Sequence, residues 1–155
     1  MGASGWSYTV PWQADPQAAL VALQERVFHD GDYWWALGDY CPGADDVDAA
    51  RRAAAPPPAD IDELWSHELV QECGSHSILD VDEVLAPGAA PAFGGLQALS
   101  AEETRVIAGA DRLTREHLPA LGWELVGERW TGRWAVLHDA AGNPAELHFW
   151  GFSGD

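Results

Sequence analysis

Cys73, Ser75 and His76 stand together in the string Cys-Gly-Ser-His, the separation of a two-ligand metal loop or of a thiol beside its base. A turn there would bring a thiolate and an imidazole together. Zinc requires at least three protein ligands, and the nearest other histidine, His67, would lie about 120° away round a helix. No metal is therefore expected, and Cys73 and His76 remain weak candidate ligands. His67-Glu68 is followed by Gln71 where a zinc protease needs a second histidine. Neither Ser75 nor Ser153 sits in a G-x-S-x-G elbow, and no phosphate loop or dinucleotide-binding glycine pattern occurs. The acidic pairs Asp80/Asp82 and Asp30/Asp32 have too few oxygens for a calcium loop and suit solvated turns better. Whether a cofactor is used is left unknown by these residues.

A second constellation lies near the C-terminus. The segment RWAVLHDAAGNPAELHFWGF alternates on both sides of Asp139 and Gly142, which predicts a β-hairpin closed by a type I turn and a G1 bulge. With Asp139 opposite Asn143, Trp134 pairs with His148 and Val136 with Glu146. Ala135, Leu137, Ala145, Leu147 and Phe149 then form an apolar face for the core. Trp134, His138, Glu146, His148, Trp150 and Phe152 are left on the other. Such a face has the chemistry of a ligand pocket, with His148 and His138 as acid–base candidates, Glu146 as their partner, and Trp134 and Trp150 as walls. A one-residue slip would dissolve it.

The third candidate is Tyr33-Trp34-Trp35 beside Asp30, Asp32 and Asp39, an acidic aromatic patch suited to a protein interface. Nine tryptophans is a high number, and several, including Trp12 and Trp130, fall at expected strand ends or loops.

The elements that must carry these residues follow from caps and periodicity. Trp6, Tyr8 and Val10 share one face of a strand that Pro11 stops. Asp15 caps a helix opened by Pro16, with Leu20, Leu23 and Val27 on its apolar side and Gly31 at its end. Residues 32–59 read as a long surface excursion containing Gly38, Gly43 and the Pro56–Pro58 run, with a short helix through Asp48 and Arg52. Asp60 and Glu63 cap a second helix through Ile61, Leu64, Trp65 and Leu69 to Gly74. Residues 75–81, SHSILDV, suit a strand, and 86–99 a loop. Ser100 with Glu103 opens a third helix ending near Gly109. Thr114 caps a fourth, with Leu118, Leu121 and Leu125 on one side and Pro119 near its start. One α+β domain spanning residues 1–155 results, with about four antiparallel strands packed on one face by about four helices.

Charge narrows the partners. The chain has 155 residues, with 25 acidic side chains against eight basic ones, all arginine, for a net charge of −17. That field repels phosphate backbones and anionic lipid, so nucleic acid and membrane surfaces are disfavoured and a basic protein is favoured. No apolar run is long enough to span a bilayer, and no secretory leader opens the chain. Two cysteines make no disulfide framework, and a cytoplasmic location is expected.

The strings GWSY, GSHSILD and HFWGFSGD resemble an uncharacterised family of small acidic actinomycete proteins, across most of the chain. The abundance of alanine and of arginine over lysine fits a GC-rich genome. The resemblance implies no activity and transfers no functional residue. Two functions are thus expected in order: an acidic, Trp-rich protein-binding module, such as an immunity-type inhibitor of a basic partner, and then a small-molecule-binding protein or enzyme using the hairpin face.

Overall fold

The computed structural model describes residues 3–35 and 56–155. The expected helix through Asp48 and Arg52, together with Gly38, Asp39, Cys41 and Gly43, lies outside the described residues. Local capping chemistry sets the first helix, α1 (Pro16–Asp30): the Asp15 carboxylate accepts from the amides of Gln17 and Ala18, and Gly31 closes it in the left-handed conformation. Its apolar stripe, Leu20, Leu23 and Val27, is buried. Burial of three such side chains contributes about 5–9 kcal/mol before conformational entropy is subtracted.

Asp60 caps α2 (Ile61–Ser66) as its sequence suggests, but the helix does not run on to Gly74. It breaks at His67, where ψ is 127°, and resumes as α3 (Glu68–Cys73). Ser66 Oγ donates to Glu63 O at 2.7 Å and Gln71 Nε2 donates to Trp65 O at 2.9 Å, so side chains satisfy carbonyls near the break. The break turns Val70 into the core and leaves Leu69 40% exposed, while Ile61, Leu64 and Trp65 keep the predicted side.

Residues 75–81 are not a strand. Ser77 Oγ accepts from Leu79 N at 3.2 Å and starts a 3-10 helix, Ile78–Asp80, while the consecutive burial of Ile78, Leu79, Asp80 and Val81 excludes period-two alternation. Two short strands follow, β2 (Glu83–Val84) and β3 (Gly95–Ala98), the second inside the Gly- and Pro-rich stretch 86–99 where a continuous loop is predicted. Ser100 and Glu103 form a reciprocal capping box on α4 (Ala101–Ala108). The expected fourth helix is instead β4 (Leu113–Thr114) followed by 3-10 helices Arg115–Ala120 and Trp123–Leu125. Pro119 lies inside the first of these and removes an amide that a regular α-helix would use.

β1 (Gly5–Pro11), β5 (Thr131–His138) and β6 (Pro144–Phe152) complete a six-stranded sheet in the order β1-β6-β5-β3-β2, with β4 also on β5. The class is α+β, but the sheet is mixed: β1, β6 and β5 are antiparallel, whereas β3 and β4 run parallel to β5 and β2 parallel to β3. Helices also lie on both faces rather than one. On one face Trp6, Val10, Leu147 and Phe149 pack with α1, Leu64, Val70 and the Ile78–Val81 segment. On the other, Ala135, Leu137 and Trp150 pack with Leu113, Leu121 and Val126, and with Ile107 of α4.

Gly132 and Gly151 face each other across β5 and β6 beneath the Trp6 ring. A Cβ on Gly132 would stand 2.9 Å from Trp6 Cη2, so the missing side chains are what let the indole lie on the sheet.

Candidate functional site

The hairpin turn forms as its residues predict: Gly142 N donates to Asp139 O at 3.0 Å, Asp139 N donates to Asn143 O at 2.9 Å, and Gly142 has φ 84°. The register beyond it differs by one residue. His138 pairs with Pro144 but Leu137 with Glu146, leaving Ala145 as a bulge. Pro144 has no N–H to donate, and the Ala145 carbonyl turns to accept from Trp12 N at 3.0 Å. Trp134 therefore stands opposite Phe149 and Val136 opposite Leu147, while Ala135 faces His148 and Leu137 faces Glu146.

This slip divides the predicted cluster between the two faces. Glu146, His148, Trp150 and Phe152 stay together, but Trp134 moves to the α1 side of the sheet, packed against the larger core. The remaining polar groups are engaged. His148 is 8% exposed, its Nδ1 lies 2.8 Å from Thr9 Oγ1, and its ring stacks on Trp150 at 5.4 Å. Burial holds its pKa down at about 4, against the upward pull of Glu146. Glu146 receives a bidentate pair from Arg115 at 3.0 and 3.1 Å. His138 sits at the bulge, with Nδ1 3.2 Å from Leu113 O.

The Tyr33–Trp35 segment is docked rather than splayed. Tyr33 stacks on Phe28 at 5.5 Å, Trp34 on His76 at 5.0 Å, and Trp35 meets His67 edge-on at 5.2 Å. All three are half-buried. Asp30 and Asp32 belong to the end of α1, where Asp32 N donates to Val27 O at 3.0 Å. Burial and the charge of Asp32 push the Tyr8 pKa up to about 12.

The candidate ligand loop has a different use. Asp80, 2% exposed, accepts from Ser75 N at 2.6 Å, Ser75 Oγ at 2.7 Å and Ser153 Oγ at 2.5 Å, and Ser75 Oγ also meets Ser77 Oγ at 2.8 Å. Burial pushes its pKa up against those bonds. Gly154 N donates to Cys73 O at 3.1 Å, and the Asp155 carboxylate accepts from Ser4 N and Ser4 Oγ at 2.9 and 2.8 Å. His76, at φ 56°, places Nε2 3.5 Å from Asp155 Oδ2. Burial opposes ionisation of Asp155, but the Ser4 bonds and the His76 charge outweigh it and lower its pKa. This network ties the chain end to the 74–80 loop. Asp82 does not join Asp80; it lies exposed beside Gly94. Among the described residues no three His, Cys, Asp or Glu side chains are grouped to hold a metal ion.

Beside this tie runs an aromatic row that periodicity could not reveal. Trp130 packs against Trp65 at 5.8 Å and Phe93 at 5.4 Å, between ring centroids. Trp130 has φ 61°, costly for a bulky side chain, and is fixed there by Trp130 N donating to Phe152 O at 3.0 Å and Trp130 O accepting from Gly94 N at 2.8 Å. Trp65 is anchored through Nε1 to Leu79 O at 3.0 Å. Phe93 at the end of the row is 71% exposed. The carboxylates of Asp82 and Glu128 belong to the neighbouring turns, and Arg129 is drawn aside to Gly154 O at 3.2 Å. The only sequence signal was the placement of Trp130 outside a regular element.

No helix among the described residues is long and apolar enough to cross a membrane. No protein-family model matches the chain, and neither curated proteins nor solved structures gave a significant match, so the functional reading rests on this geometry.

Proposed function

We propose that this chain is an acidic protein-binding module that docks a basic protein, in the manner of an immunity-type inhibitor, through the Phe93–Trp130–Trp65 row. The observation that carries this function is Phe93, a large apolar side chain 71% exposed yet braced by a tryptophan held at positive φ. A rigid aromatic loses little conformational freedom when covered, and full desolvation of such a ring contributes about 1.5–3 kcal/mol. The net charge of −17 supplies the complementary term, steering a cationic partner and repelling anionic ones. The enzymatic alternative keeps only part of the face it was built on, and there His148, Glu146 and Trp150 already pair with Thr9, Arg115 and the second core.

Affinity capture with the wild type and with Phe93→Ala, read by mass spectrometry, tests this. A protein of high isoelectric point should be retained by the wild type and lost from the variant. Its association rate should fall about tenfold or more between about 50 mM and about 500 mM salt. Equal retention by both proteins, or a salt-independent rate, overturns the proposal.

A further inference from the structure

A cavity of about 160 Å³ opens where β5 lacks a continuous neighbour. β3 pairs with β5 as far as Trp134 and β4 pairs with it at Leu137 and His138, so Ala135 and Val136 border a gap between two parallel strands. Leu99, Leu113 and Val136 give the cavity apolar walls, and Trp134, Arg112 and His138 bring polar groups to it.

Trp134 and Arg112 bring donors, whereas the His138 donor is already spent on a carbonyl. The Trp134 indole N–H is buried with no hydrogen-bond partner. His138 Nδ1 faces the Leu113 carbonyl at 3.2 Å, and because a carbonyl only accepts, that nitrogen carries a proton. Arg112 forms no ion pair among the described residues and reaches across to Gly142 of the hairpin turn. The one carboxylate at the rim, Asp111, is neutralised by Arg105 at 2.6 Å.

We propose that this cavity binds a small carboxylate with a compact apolar body. A cavity of about 150 Å³ holds a benzene ring, which sets the size of that body. The apolar walls take the body and the Arg112 guanidinium takes the carboxylate, for which it has the matching planar fork. This site is independent of the aromatic row and shares no residue with it.

Benzoate is the probe, benzamide its neutral counterpart, and the Trp134 indole N–H resonance of isotope-labelled protein the readout. Benzoate should shift that resonance saturably, with Kd near about 1 mM or tighter for a ligand of this size. Arg112→Gln should weaken binding about tenfold or more, whereas Arg26→Gln, an exposed arginine on α1, should leave it unchanged. No saturable shift overturns the site. Equal binding of benzamide, or full affinity in Arg112→Gln, overturns the carboxylate as its ligand.

Discussion

Replacing Asp80 by alanine is expected to destabilise the fold by about 2–6 kcal/mol. Its carboxylate accepts three hydrogen bonds at 2.5–2.7 Å in a buried position. Alanine would strand these donors unevenly. Ser75 Oγ keeps Ser77 Oγ at 2.8 Å, whereas the Ser75 amide and the Ser153 hydroxyl have no second acceptor among the described residues. Two buried donors left unpaired, at about 1–3 kcal/mol each, give the stated range. Asparagine retains one acceptor oxygen and should cost less. Burial raises the Asp80 pKa, so the folded state holds its proton to higher pH than the unfolded chain, where the ordinary value is 3.8. The stabilisation linked to that proton is complete below 3.8 and is lost as pH rises through the folded pKa. Asp80→Asn lacks this dependence, so its deficit relative to wild type should be largest in acid and shrink toward neutral pH. Urea unfolding of wild type, Asp80→Ala and Asp80→Asn across that range measures both effects. An alanine penalty below about 1 kcal/mol, or a pH-independent asparagine deficit, would refute the network as a stabilising tie.

Two further outcomes are expected. The His148 pKa near 4, against 6.5 when unperturbed, means that the unfolded chain binds its proton first as pH falls. His148 thus contributes up to about 3 kcal/mol that is present above pH 6.5 and lost on the way to pH 4, a loss His148→Gln should abolish; an imidazole titrating near 6.5 by NMR contradicts this. Gly151→Ala should cost about 1–3 kcal/mol by driving a methyl into Trp6, visible as a lowered urea midpoint and a changed Trp6 environment, and an unchanged midpoint would show that the indole has room to move.

What the sequence made legible was local. Asp15 with Pro16, Asp60, Ser100 with Glu103, and Asp139 with Gly142 each act within a few residues, and each helix start or turn stands where those residues put it. Elements fixed by distant partners were not legible. β3 looks like loop because Gly94 and Gly95 lack β-propensity, yet β2 and β5 supply ladders on both its sides. The Ala145 bulge depends on Trp12, far away in the chain, needing an acceptor. That single bulge moved Trp134 across the sheet, and with it half of the candidate site.

The consequence for function is that abundance of tryptophan and availability of tryptophan are separate properties here. Trp6, Trp134 and Trp150 serve the two cores, Trp34 is stacked on His76, and Trp35 meets His67 edge-on. Trp12 and Trp123, each above 40% exposed, lie apart from the row, and Trp123 is packed on Phe152 at 5.5 Å. What distinguishes the row is neither its charge nor its size but that a less exposed pair, Trp65 and Trp130, holds one exposed ring in a fixed place. A net charge of −17 acts over the whole surface and selects the sign of a partner. Only a fixed apolar contact decides where that partner stops. The Phe93→Ala variant separates the two effects, because it removes the contact while leaving every charge in place.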